Sequence, residues 1–358
     1  MRLRRFVCCG IVPGMNQSPP LITPQPKRTG WIVYSVIVTF LLFLAVLAGF
    51  VLFALAFGGG DRAVGLETRH AKYEERYLQG DTGARNKIAV VYLTGVISEA
   101  DGMTSDQGIV GDIKDQLDQA LEDKRVKAII LRIDSPGGEV VASDEIYRAV
   151  AAAREKKPVV ASMETVGASG AYYAAMGASY VMATDWTITG SIGVILQSFT
   201  FSGLMDKVGV KSYTFKSGEY KDILNPTREP TVAESNLVQN LIMEVYDKFV
   251  GIVAKERKMN VEDLKNGLAD GRILSGKQAK EAGFIDGIGY FDDAVEKAKE
   301  LAKIQEAKVI RYTPPFSLRN LLRFLGSNDR TKIELQLSPT RFKLESGKLY
   351  FLPAYMFQ

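Results

Sequence analysis

Apolar residues follow three rhythms along this chain. From 31 to 57 they are unbroken: 27 residues without a charge, about 40 Å of helix at about 1.5 Å per residue, more than the roughly 30 Å of a bilayer core. From residue 87 onward, short continuous runs of strand length alternate with helical spacing. Residues 87–97, containing Ile88-Ala89-Val90-Val91-Tyr92-Leu93, predict a buried strand, and Ile113, Leu117 and Leu121 predict an amphipathic helix over 111–123. Residues 128–134 are almost continuously apolar, as a central parallel strand is. A helix over 141–156 follows, ended by Lys157-Pro158, then strands at 159–163 and 180–183 around a small-residue helix at 171–178. Residues 187–194 are β-rich, 201–208 predict a short helix, 211–215 a strand, 232–255 a long amphipathic helix and 308–312 a strand. Strands alternating with helices specify an α/β fold with a mostly parallel sheet.

Charge changes the picture at the N-terminus. The first 57 residues hold five of the 45 basic residues and none of the 41 acids, leaving 40 against 41 beyond. Arg2, Arg4, Arg5, Lys27 and Arg28 precede the apolar run, so the positive-inside rule keeps that end cytoplasmic and predicts that everything after Phe57 is extracytoplasmic. A cleaved signal peptide is the rival, but the run exceeds an h-region and Gly58-Gly59-Gly60 offers no small-x-small cleavage site. The balanced remainder gives no nucleic-acid surface.

Residue scarcity excludes more. Cys8 and Cys9 are the only cysteines, both before the span, so the exported part has no disulfide, thiol nucleophile or thiolate metal site. His70 is the only histidine and lies in a charged juxtamembrane stretch. A His-x-x-x-His metal pair is impossible, and a Ser-His-Asp triad would need this stalk residue to reach the domain core. No metal and no cofactor are expected.

Candidate chemistry gathers where strands end. In Gly167-Ala168-Ser169-Gly170-Ala171 a serine bracketed by glycines lies between a strand and a helix, where it reads either as a nucleophile or as a helix N-cap. Pro136-Gly137-Gly138 ends the preceding strand and opens on the same sheet edge, where it reads as a close-approach turn for an oxyanion or as a plain turn. Without a usable histidine, a lysine can serve as the base, provided it is neutral at working pH. Lys221, beside Tyr220 and between Gly218 and Pro226, fits that role or is a surface lysine, and Asp222 next to it opposes neutrality if it faces the same way.

Pro136-Gly137-Gly138, Ala168-Ser169-Gly170, Thr189-Gly190-Ser191-Ile192-Gly193 and Ser217-Gly218-Glu219-Tyr220-Lys221, in this order, resemble the bacterial signal peptide peptidase A family over roughly residues 87–303, including Ala269-Asp270-Gly271-Arg272. The resemblance implies a ClpP/crotonase-like domain and a serine endopeptidase with a Ser-Lys dyad. Ser169 is then the nucleophile, Lys221 the general base and Ser191 the residue orienting its amine, while Gly137 and Gly170 supply oxyanion N–H groups. It also implies remnant signal peptides and similar apolar peptides as substrates, a bacterial inner-membrane location and a homo-oligomer whose sites are shared between protomers. Ala171 stands where the family usually has a second glycine, and its methyl is expected to narrow the cleft. The expected divisions are 1–30 cytoplasmic, 31–57 transmembrane, 58–86 stalk, 87–305 peptidase domain and 306–358 C-terminal extension.

Two features of that extension stay open. Leu318, Leu321, Leu322 and Leu325 mark an amphipathic helix that lies on the membrane or packs on a neighbouring subunit. The apolar tail from 348 to 356 is either an edge strand or an intramolecular competitor in the substrate groove. Rival functions are an inactive crotonase-fold scaffold and an acyl-CoA crotonase. The first predicts a decayed dyad, and the second does not explain Ser169, Ser191 and Lys221 together. A lone span without acids excludes an intramembrane aspartyl peptidase.

Overall fold

A computed structural model of the chain describes residues 29–57, 73–99, 108–314 and 349–351. Contacts divide the chain into two units, 1–68 and 69–358. The described part of the first unit is one helix, α1 (Thr29–Phe57), two residues longer at its start than the uncharged run. From Val33 to Phe50 it is apolar and long enough to cross a membrane. Its Thr39 hydroxyl donates to the Ser35 carbonyl at 2.8 Å, the internal satisfaction an apolar medium requires.

In the second unit, β1 (Glu74–Gly80), β2 (Lys87–Thr94), α2 (Gly108–Glu122), β3 (Val126–Ser135), β4 (Gly138–Glu139), α3 (Val140–Arg154), β5 (Val159–Ala168), α4 (Gly170–Ala175) and β6 (Tyr180–Ala183) follow in order. Then come β7 (Ile188–Gly190), α5 (Ser202–Val208), α6 (Val232–Arg257), α7 (Val261–Lys265), β8 (Ile273–Ser275), α8 (Gly276–Glu281), β9 (Gly287–Ile288), α9 (Phe291–Ala302), β10 (Lys308–Thr313) and β11 (Tyr350–Phe351). The main sheet runs β1-β10-β2-β3-β5-β6-β9, with β7 pairing β5 and β8. From β10 to β9 every pairing is parallel, and only β1 and β8 are antiparallel. The fold is the expected α/β class with a mostly parallel sheet.

Strand alternation sends successive side chains to opposite faces. Ala89, Val91, Leu93, Ile129, Leu131 and Ile133 join α2, α3, α4 and α6 in the larger core. Ile88, Val90, Ala128 and Ile130 meet Ala294, Val295 and Ala298 of α9 on the other side. Burying strands on both faces explains their continuous apolar runs; each fully buried Ile, Leu or Val contributes about 1.5–3 kcal/mol relative to exposure.

Two expectations differ from the structure. Glu74–Gly80 lies within the expected stalk, yet forms an edge strand antiparallel to β10, because Lys308–Thr313 leaves one side unpaired. Residues 211–215 alternate like a strand but form none, since no neighbouring strand reaches them. In the extension, Lys308–Thr313 belongs to the main sheet, whereas the amphipathic stretch at 318–325 lies outside the described residues, as do Cys8, Cys9 and His70.

Candidate active site

Strand β5 ends at Ala168, and the next residue turns the chain into α4. Ser169 has φ 54° and ψ −116°, a left-handed conformation for a residue with a Cβ. Such a backbone costs of order 1–3 kcal/mol and persists only where surroundings enforce it. Here they do: the Ser169 N–H donates to the Gly190 carbonyl at 2.9 Å, and its own carbonyl accepts from Tyr173 N–H at 2.8 Å. Tyr172 and Tyr173, fully buried, anchor α4 through bonds to the Phe284 carbonyl at 2.8 Å and to Asp144 at 2.6 Å.

Ser169 is the N-cap residue by position, but its side chain makes no cap bond. Its Oγ is buried and has no hydrogen-bond partner among the described residues. A buried hydroxyl is normally paired, because leaving it unmet costs about 1–3 kcal/mol. Ala171 does not face Ser169 Oγ: that methyl sits in the apolar core.

The Pro136-Gly137-Gly138 turn lies directly beside this serine. Ser135 pairs in register with Gly167, which brings the end of β3 next to the end of β5. Gly137 has φ +103°, and a Cβ built on it would stand 2.6 Å from the Gly170 nitrogen and 3.1 Å from the Ala168 carbonyl oxygen. A Cβ on Gly170 would stand 2.4 Å from Ser143 Oγ and 3.1 Å from the Gly138 nitrogen. Glycine at both positions is thus a steric necessity, and it leaves backbone amides facing a narrow space. The Gly137 N–H itself is turned to Ser135 Oγ at 3.2 Å. The amide beside Gly170 is that of Gly138, a residue the sequence reading passed over although it is the second glycine of the same pair.

One edge of this turn is occupied by Ile97, which donates to the Gly137 carbonyl and accepts from the Glu139 N–H, both at 2.8 Å. The other edge takes the chain's own tail. Tyr350 pairs with Glu139 and Phe351 with Gly138, antiparallel. On its far side Tyr350 exchanges two bonds of 3.1 Å with Ile195. Of the tail, the described Tyr350–Phe351 form a strand, which lies against Gly137 and Gly170 on either side of Ser169 in the fold. Its Phe351 carbonyl oxygen lies 2.2 Å from where a Gly137 Cβ would be, at the mouth of the Gly137 and Gly170 space.

Ser191 is brought to the serine as well. Ala168 pairs with Gly190, and Ser191, buried with φ 51°, follows at once, its N–H bonded to the Arg272 carbonyl at 2.8 Å. Lys221 is not brought there. It sits in an exposed turn, with its N–H donating to the Gly218 carbonyl at 3.2 Å. Asp222, its neighbour, is committed elsewhere, to Lys216 at 2.6 Å and to Arg228 at 2.9 Å. Arg228 also binds Glu234, which completes a capping box with Thr231 at the start of α6. The Arg228 and Lys216 bonds hold the Asp222 carboxyl well below its usual range, and Arg228 with Thr231 lowers that of Glu234 to about 2. The segment around Lys221 is therefore tied to α6 and away from the lysine's own amine.

Residues 151–305, which include Ser169, Ser191 and Lys221, match the family described as Peptidase family S49. The putative signal peptide peptidase SppA of Enterococcus faecium is 39% identical over 237 residues, covering 65% of this chain and 69% of that protein. The putative protease slr0021 of Synechocystis is 42% identical over 228 residues, 64% of this chain and 79% of that one. This chain belongs to peptidase family S49, the signal peptide peptidase A family. Its ClpP-like fold agrees with the parallel sheet described above, and the chain is a peptidase. Protease 4 of Salmonella typhi, 38% identical over 240 residues, is a longer relative of which this match covers 38%.

Proposed function

We propose that the chain is a membrane-anchored serine endopeptidase in which Ser169 is the nucleophile and Lys221, from a neighbouring copy, is the general base. The observation that carries this reading is the Ser169 hydroxyl: buried, unpartnered, on a strained turn, beside a slot already holding a peptide strand. A substrate peptide enters as β11 does, adding a strand to β4 and Ile195 through main-chain bonds. Its scissile carbonyl lies against Gly170 and Gly138, whose amides stabilise the developing oxyanion, while the Gly137 N–H stays on Ser135 Oγ. Ser169 Oγ attacks the carbonyl carbon as its proton passes to the Lys221 amine. The C–N bond then breaks, the leaving amine takes that proton, and water releases the acyl group by the same route in reverse. Ser191, adjoining Ser169, orients the lysine amine.

Sharing of the site is supported by the arm between residues 195 and 244. Helix α5 buries none of its residues, and Phe199, Phe201, Leu204, Tyr213 and Phe215 are exposed, the last at 97%. So large an apolar surface marks an interface, and a second copy of the chain covers it. Helix α1 crosses the bilayer once with the basic N-terminus in the cytoplasm of a bacterium, so the peptidase unit works outside the inner membrane. Remnant signal peptides and other apolar peptides partition to that surface and are the substrates.

The decisive experiment labels the full chain, solubilised in detergent, with a serine-directed phosphonate across pH. Wild type reacts at Ser169 with a rise near neutral to mildly alkaline pH, and Lys221→Ala does not react. Equal labelling of both proteins removes the lysine from the mechanism.

A further inference from the structure

The edge of the main sheet carries two cations without a counter-ion among the described residues. Arg76 of β1 stands directly opposite Arg311 of β10 in the antiparallel register. Residues opposite one another in such a pair share a face, with Cβ atoms about 5 Å apart, and like charges placed there repel. Val309, two positions before Arg311, packs with α9, so the two arginines stand on the α9 side of the sheet. Ile310 and Tyr312 point the other way, into the larger core.

The acids nearby are engaged elsewhere or bond neither arginine. Glu75 is paired with Lys87 at 2.5 Å. Glu74 offers its backbone carbonyl to the Thr313 hydroxyl at 3.3 Å. Asp292, at the start of α9, accepts from Gln79 at 2.9 Å. Arg76 is exposed, whereas Arg311 is half-buried and its Nε is fully buried with no hydrogen-bond partner among the described residues. A guanidinium keeps its proton, so Arg311 cannot escape this position by neutralising as a buried lysine does. Burying a charge without a partner is costly, and a facing like charge adds to the cost.

We propose that Arg76 and Arg311 form a binding site for a phosphate group, supplied by the headgroup of an anionic phospholipid or by free phosphate. One guanidinium fork satisfies a carboxylate, whereas the tetrahedral oxygens of a phosphate reach two forks at once. A phosphate seated between them accepts from Arg311 Nε and cancels the repulsion across the strand pair. Lipid is favoured as the source because only residues 58–73 join α1 to β1, which makes β1 the first element of the peptidase unit beyond the apolar helix. Anionic headgroups attract clustered arginines within a Debye length of the bilayer surface. The site is independent of the Ser-Lys dyad, and its lipid source rests on the membrane reading above.

The test places the full chain in nanodiscs of phosphatidylcholine, with or without phosphatidylglycerol, and follows hydrogen exchange over 74–80 and 308–313. A third arm adds inorganic phosphate to the phosphatidylcholine discs, and a fourth adds chloride to the same ionic strength. Exchange slows at least threefold with phosphatidylglycerol or with phosphate. Slowing by phosphatidylglycerol alone assigns the lipid, and slowing by phosphate assigns the free anion. Slowing in neither arm, or equal slowing by chloride, overturns the site. Arg76 is exposed, so Arg76→Gln leaves the fold intact. In that variant the ligand effect disappears, and without ligand 74–80 exchanges more slowly than in wild type because the repulsion is gone. Faster exchange there would mark Arg76 as a merely structural residue, and slowing by phosphatidylglycerol that survives the substitution would place the anion on other basic residues; either result overturns the proposal. Arg311→Gln abolishes the ligand effect as well, and if it misfolds, Arg76→Gln decides alone. Phosphonate labelling of Ser169 is recorded on the same samples. Labelling without an anion effect sinks this inference alone, and an anion effect without labelling sinks the peptidase reading alone.

Discussion

Around Ser169 the chain is closed: β5, α4 and the Pro136-Gly137-Gly138 turn are buried, hydrogen-bonded and held by fully buried tyrosines. Around Lys221 it is open: a turn on an arm with bare aromatic residues, fastened by the ion pairs of Arg228 rather than by a core. On the proposed reading, the difference teaches which half of a reaction centre one chain can finish. Aiming a nucleophile and an oxyanion hole requires tight backbone packing, which local burial supplies. Delivering a base on a long exposed arm requires a second surface to pack against.

Breaking this contrast outright is the largest expected effect. Ser169→Ala and Lys221→Ala each lower peptide turnover by at least ~10³-fold. Mixed under conditions of subunit exchange, the two inactive proteins recover activity, because some sites combine an intact serine with an intact lysine. Persistent inactivity of the mixture, measured by peptide hydrolysis, would mean that each chain keeps its site to itself.

The next effect concerns the arm's surface. Phe215→Glu removes nothing from the core, so the melting temperature of the peptidase unit stays within about 2 °C. Assembly and turnover both fall tenfold or more, read by analytical ultracentrifugation and by hydrolysis. A variant that assembles normally would show that other residues of the arm make the contact.

The smallest effect sharpens the picture of how the arm is fastened. Glu234 is held at about 2 by Arg228 and the Thr231 bonds. A carboxyl lowered in the folded state adds stability that is complete above its ordinary value near 4.5 and fades as pH falls towards 2. Hydrogen-exchange protection over 217–234, corrected for intrinsic rates, therefore declines between pH 5 and pH 2.5 before that of β2 and β3. Simultaneous loss would mean that the arm is no less firmly held than the sheet.

Much of the closed half was legible in the residues. Ile88 to Leu93 is apolar without interruption and Ala128 to Ile133 nearly so, broken by Arg132, because both their faces are covered, and Ser169 between glycines lies where a strand becomes a helix. Gly138 was harder to distinguish from Gly137, since only the folded turn reveals which amide borders Gly170. The edge strand Glu74–Gly80 carries no alternation that would betray it, because its side chains are largely exposed and its partner lies more than 200 residues away. Residues 211–215 mislead in the opposite sense, alternating like a strand with no neighbour to pair with. The aromatic cluster was invisible: Tyr173, Phe249 and Phe351 are spread over the chain and meet only in space.

The conformation of Ser169 bears on how this protein can be improved. A positive φ is comfortable for glycine and uncomfortable for every residue with a Cβ, so Ser169→Gly relaxes the turn. A search for heat-resistant variants that scores survival alone will favour that exchange and hand back a sturdier, chemically silent molecule. Any such campaign has to select for turnover at the same time.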